Sequence, residues 1–152
     1  KKKWILSNSM HVIDMAFSPV GLPLYEKSSF MKSGNNLKWH PNGNIFYGSG
    51  ITEKKIPFSY HSNWVSPGRW GVEWMTKSFR YIFKPLEALT VMKRFDYNID
   101  SVELLDDFDL KFKPGVLLQD KCFLEGQNSY SVTPYYARKL IFLSNIIGGY
   151  NV

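Results

Sequence analysis

The chain has 152 residues, 44% hydrophobic and 16% aromatic, and a net charge of +6. A chain of that length buries roughly 70% of its unfolded surface without help from a disulfide or a metal. Its apolar content excludes a disordered polymer, which lacks the large groups that offset chain entropy. The single cysteine, Cys122, excludes an intrachain disulfide framework and favours a reducing, intracellular compartment. A single domain over residues 1–152 is the expectation.

The charge is uneven: residues 1–95 carry 14 Lys/Arg against 5 Asp/Glu, and residues 96–152 carry 5 against 8. An anionic partner would meet the N-terminal part first. No apolar run reaches the roughly 18 residues of a membrane-spanning helix. The first apolar segment is broken by Ser7, Asn8, Ser9, His11 and Asp14 and does not read as a signal peptide. No internal repeat is visible.

In chain order, His11 to Phe17 reads as a strand buried on both sides, because Val12-Ile13 and Met15-Ala16-Phe17 leave little polar face. Leu37 to Tyr47 reads as a hairpin, with Asn42-Gly43 as a type I′ turn and Gly48-Ser49-Gly50 ending its second arm. Ile56 to Val65 is a further strand, with Pro57 near its start, and Ser66-Pro67-Gly68 is a turn. Gly71 to Lys84 reads as the longest strand. Alternation places Val72, Trp74, Thr76, Ser78, Arg80 and Ile82 on one side of it. Glu73, Met75, Lys77, Phe79, Tyr81 and Phe83 fall on the other. Pro85 to Lys93 is a short helix or a crossing segment. Ile99 to Phe108 is compatible with a helix capped by Asp100 or Ser101.

Pro114-Gly115 is a turn, Val116 to Leu124 a strand, and Glu125 to Ser129 a loop. The C-terminal helix has the clearest signal: Thr133 as N-cap, Pro134 at the first helical position, and a stripe of Tyr136, Leu140, Leu143 and Ile147. Gly148-Gly149 supplies the stop. The fold class is α+β, a twisted, mostly antiparallel sheet with this helix packed on one face.

Arg69, Trp70, Trp74, Lys77, Phe79, Arg80, Tyr81, Phe83 and Lys84 crowd one segment. Single-stranded RNA needs flat rings for stacking and cations for phosphates, and one strand can show both. Lys77-Ser78-Phe79-Arg80-Tyr81-Ile82 resembles part of the first signature of RNA-recognition motifs. Ser78 and Arg80 stand where that signature has small residues, Lys84 replaces its last aromatic, and no βαββαβ order accompanies it, so the family is not assigned. Core packing is the alternative role for Phe79, Tyr81 and Phe83.

The preferred function on these residues is a noncatalytic, structural component of a larger assembly that contacts RNA, as in a ribonucleoprotein. Its phosphate contacts would be Lys1–Lys3, Lys54, Lys55, Arg69, Lys77 and Arg80. A rival is a small metal-independent nuclease or toxin-like enzyme with His40 or His61, Glu73 and Arg80 as base, acid and phosphorane-stabilising cation. The third is a purely protein-binding subunit using the acidic tract Asp96–Asp109.

No cofactor is implied. No HxH, HxxxH or CxxC spacing suggests a metal, and Asp106, Asp107 and Asp109 lack the pattern of a calcium loop. Cys122 has no base beside it in sequence and reads as a buried thiol. Gly48-Ser49-Gly50 is not followed by the Lys-Ser/Thr pair of a phosphate loop.

Overall fold

Four-residue spacing organises the N-terminus. Ile5, Ser9, Ile13 and Phe17 are all buried, the pattern of one helical face rather than of a strand. In the computed structural model, which describes residues 3–34, 37–104, 111, 116–126 and 132–150, a π-helical turn (Ile5–Ser9) runs into helix α1 (Met10–Phe17). The strand expected at His11 to Phe17 is therefore a helix. Its apolar run fits two buried strand faces, but the residues that are buried recur every fourth position.

The chain divides into two compact units, Lys1–Arg69 with Arg138–Val152, and Trp70–Ala137. The first contains an antiparallel sheet of β1 (Ser29–Ser33), β2 (Ile45–Ile51) and β3 (Pro57–Asn63), in that order. The expected hairpin has a different first arm: β2 pairs with Ser29–Ser33, in register Ser33↔Ile45. Leu37 and His40 instead close a tight turn through reciprocal backbone bonds of 3.2 and 2.9 Å. Gly43 has φ +102°, and a Cβ there would sit 2.9 Å from Ser33 O. Glycine is required because two backbones meet there, not because it centres a two-residue turn. Gly48 and Gly50 lie inside β2 rather than after it. A side chain at Gly48 would collide with Ser29 O and the Tyr60 ring. The strand expected near Ile56 is β3, with Pro57 as its first residue.

The C-terminal helix forms where its caps place it, as α3 (Pro134–Gly148). Thr133 Oγ1 accepts from Tyr136 N at 3.2 Å. Leu140, Leu143 and Ile147 are buried and pack the helix onto the sheet layer. Gly149, at φ +61°, ends it. Its N–H donates to Ile146 O at 3.0 Å and Tyr150 N–H to Asn145 O at 2.9 Å. These two bonds are the Schellman pattern, which satisfies the last helical carbonyls. Asn42 Nδ2 reaches the next ones, donating to Gly148 O at 3.1 Å and Gly149 O at 2.6 Å.

The core of this unit is built around a polar residue. His40 is completely buried. Its Nδ1 lies 2.8 Å from Gly43 O and its Nε2 2.7 Å from Tyr150 Oη. Tyr150 Oη in turn accepts from Ile5 N at 3.0 Å. A carbonyl only accepts, so Nδ1 carries the proton and Nε2 accepts from the Tyr150 hydroxyl. With that assignment Gly43 O, both His40 ring nitrogens, Tyr150 Oη and Ile5 N–H each have a partner. Burial raises the Tyr150 phenol above its ordinary value, partly offset by the bond from Ile5 N–H. Trp4 packs edge-on to His40, Phe46 and Trp64, with ring centroids 5.8, 5.4 and 4.9 Å apart.

The second unit contains an antiparallel meander, β4 (Val72–Met75), β5 (Phe79–Phe83), β6 (Leu89–Lys93) and β7 (Asp100–Val102), in that order. The single strand expected over Gly71 to Lys84 is thus two. Thr76 breaks it: its Oγ1 accepts from Ser78 N at 3.3 Å and Phe79 N at 3.0 Å, while Thr76 N donates to Phe79 O at 2.8 Å. A threonine side chain that mimics a backbone turn folds the chain back. The segment after Pro85 contains β6, and Asp100, read as a helix cap, begins β7.

Val116–Leu124, expected as a strand, is helix α2. A Lys121–Glu125 pair of 3.9 Å supports its last turn. Cys122 is buried, as expected. The turn at Pro114-Gly115, the carboxylates Asp106, Asp107 and Asp109, and the loop beyond Gly126 lie outside the described residues.

Candidate interaction surface

The Thr76–Ser78 turn decides what the second sheet displays. In the cross-strand register Val72 pairs with Phe83 and Trp74 with Tyr81. Paired residues share a face, so Val72, Trp74, Phe79, Tyr81 and Phe83 all point the same way. Glu73, Met75, Arg80 and Ile82 point the other way. Alternation through one continuous strand had set Trp74 against the three β5 aromatics. The turn supplies the change of phase that joins them.

The platform continues across the sheet. Tyr81 pairs with Val91, Phe83 with Leu89, and Leu89 with Val102. Lys93, opposite Phe79, and Asp100, opposite Val91, are the charged members of this face. Trp74 and Phe83 meet edge-on at 5.0 Å, and Phe79 and Tyr81 are tilted at 5.9 Å. Of the residues in these four strands, only Val72 is fully buried, and Phe79 is 38% exposed. The opposite face is amphipathic: Arg80 Nε donates to Glu73 Oε2 at 2.9 Å beside the exposed Met75.

The residues singled out in the sequence are dispersed. Lys54 and Lys55 share the turn between β2 and β3, and Lys54 Nζ donates to Pro19 O at 2.9 Å. Lys55 has φ +61°. Arg69 is exposed beyond β3, and Lys77 is exposed in the β4–β5 turn. Arg80 has its charge matched by Glu73.

For the nuclease constellation, His40 is enclosed with both ring nitrogens engaged. His61 is exposed on β3, opposite Tyr47. These two histidines belong to the first unit, and Glu73 and Arg80 to the second. Among the described residues no group of three His, Cys, Asp or Glu could hold a metal ion, and no helix is long and apolar enough to cross a membrane.

No family model, curated protein or solved structure matches the chain.

Sequence reading named the β5 aromatics and missed their partners. Leu89, Val91 and Val102 enter the face only once β6 and β7 are recognised as strands. The short alternating run Leu89-Thr90-Val91-Met92-Lys93 was the available signal.

Proposed function

We propose that this chain is a binding component of a larger assembly and takes a protein partner on the aromatic face of the β4–β7 sheet. The observation that carries the reading is the face itself: four aromatic rings and a row of aliphatic side chains on strands that bury one residue completely. One side of an antiparallel sheet normally packs against a second layer. Aromatic residues at the centre of such a patch, with few charges, are the usual composition of a protein interface.

The ring geometry favours protein over RNA. Bases stack on exposed flat faces, whereas Trp74 and Phe83 pack edge against face on each other, and Arg80 is engaged by Glu73.

One observation favours RNA as the second reading. The first unit carries eleven Lys and Arg against three Asp and Glu, while the second carries eight against ten. A polyanion would then be met by Lys54, Lys55 and Arg69, without the sheet.

The test is photo-crosslinking in an extract of native cells, with benzoylphenylalanine at Phe79 or, as control, at the exposed Met75 on the opposite face. A discrete, ribonuclease-resistant protein adduct at Phe79 alone supports the proposal. A ribonuclease-sensitive adduct moves the reading to RNA. Absence of any adduct at Phe79 rejects the sheet as a docking face.

A further inference from the structure

The first unit contains a cleft of about 430 Å³ between the 3₁₀ turn at Tyr25–Lys27 and helix α3. That volume lies within the roughly 300–1,000 Å³ of small-molecule sites. Its floor is apolar. Leu22 and Pro23 are buried there, and Tyr25 and Phe142 meet edge-on with ring centroids 5.3 Å apart. Both rings stay partly exposed and offer apolar area to a hydrocarbon body.

The rim sets the polarity. Glu53 is already committed, since its Oε2 accepts from Leu22 N at 3.2 Å and its Oε1 from Lys139 Nζ at 3.5 Å. Lys139 therefore has its charge matched within the cleft wall. Arg138 also lines the cleft and is exposed, and among the described residues no hydrogen bond or ion pair engages it. A guanidinium at the mouth of an apolar cleft offers a planar fork that fits a carboxylate. Glu26, on the same rim, disfavours a second negative charge.

We propose that this cleft binds a ring-sized apolar molecule carrying one carboxylate, with Arg138 holding the carboxylate and the exposed parts of Tyr25 and Phe142 covering the body. The site belongs to the first unit and does not depend on the sheet face of the second. Its residues come from chain positions more than a hundred apart, so no local sequence pattern announces it.

The test uses the full ¹⁵N-labelled chain, with 2-naphthoate as probe and the neutral 2-naphthylmethanol as comparator. Naphthoate should give saturable shifts at the Leu22, Leu24, Tyr25 and Phe142 amides. The alcohol should bind at least about tenfold more weakly, the size of effect expected from one charge-assisted hydrogen bond. Arg138→Gln should reduce naphthoate to the level of the alcohol and leave the alcohol unchanged. Arg138→Lys, which keeps the charge and loses the fork, should fall between, and serves if the glutamine variant does not fold. Equal affinity for the two probes, unchanged naphthoate affinity in either variant, shifts centred elsewhere, or no saturable shift at millimolar probe would each overturn the proposal.

Discussion

Replacing Tyr150 by Phe removes one oxygen and leaves two buried partners without a mate. Ile5 N–H loses its acceptor at 3.0 Å, and His40 Nε2 loses its donor at 2.7 Å. The imidazole cannot compensate by moving its proton, because Gly43 O needs the Nδ1–H. Each hydrogen bond contributes about 0.5–1.5 kcal/mol, and each buried group left unsatisfied costs about 1–3 kcal/mol. The ring remains, so no cavity term is added. The two orphaned groups together then cost about 2–6 kcal/mol, a large part of the roughly 5–15 kcal/mol that holds a domain together.

Urea unfolding followed by tryptophan fluorescence reads this loss, and exchange of the Ile5 amide reports it locally. The control is Tyr47→Phe, whose ring is 41% exposed on β2. A Tyr150→Phe midpoint within about 0.5 kcal/mol of the parent, with Ile5 exchange unchanged, would refute the hydrogen-bond assignment, since such a change is within ordinary surface noise.

Other perturbations follow the same structure. Thr133→Ala should cost about 1 kcal/mol by removing the α3 cap, read as a lower urea midpoint at unchanged slope. Gly149→Ala should cost about 1 kcal/mol or more, because φ +61° disfavours a Cβ and Lys32 Nζ lies 2.7 Å from where it would sit.

Burial pushes the Tyr60 phenol up to about 12. The unfolded chain therefore loses that proton first above pH 10, so stability should be full below pH 10 and fall as pH rises toward 12. Urea midpoints at pH 9 and 11 check the sign. Tyr60→Phe should flatten part of the fall and cost little at pH 7, since the buried hydroxyl has no partner. Reversing Glu73 and Arg80 together should leave stability within about 1 kcal/mol, because the pair is exposed.

Local chemistry was legible in the sequence where it was self-contained. Thr133, Pro134 and Gly149 define α3 through bonds made within a few residues of each helix end, and the α+β class follows from that helix and the strand-like runs. Where residue type alone leaves two conformations open, the sequence does not decide. Val116-Leu117-Leu118 is as apolar as a strand, and a short apolar run fits either state although the chain is helical there. Thr76 resembles any strand threonine until its hydroxyl turns back onto Ser78 and Phe79. That turn moves Trp74 to the side of Phe79, Tyr81 and Phe83. His40 carried a catalytic expectation from its residue type. Its role as a buried hub depends on Tyr150, 110 residues away.

The division of the chain has a consequence for biosynthesis. The first unit is discontinuous, with residues 70–137 inserted between its two parts. Leu143, Ile147 and Tyr150 belong to its core and leave the ribosome only after residues 70–137. Until they do, Ile5 N–H lacks its acceptor and the His40–Tyr150 bond cannot form. The meander of the second unit pairs strands that are neighbours in sequence, and it has no such wait. Vectorial synthesis therefore completes the insert before its host. A nascent chain halted after Ala137 should expose apolar surface to chaperones through the first part of the host unit rather than through the insert.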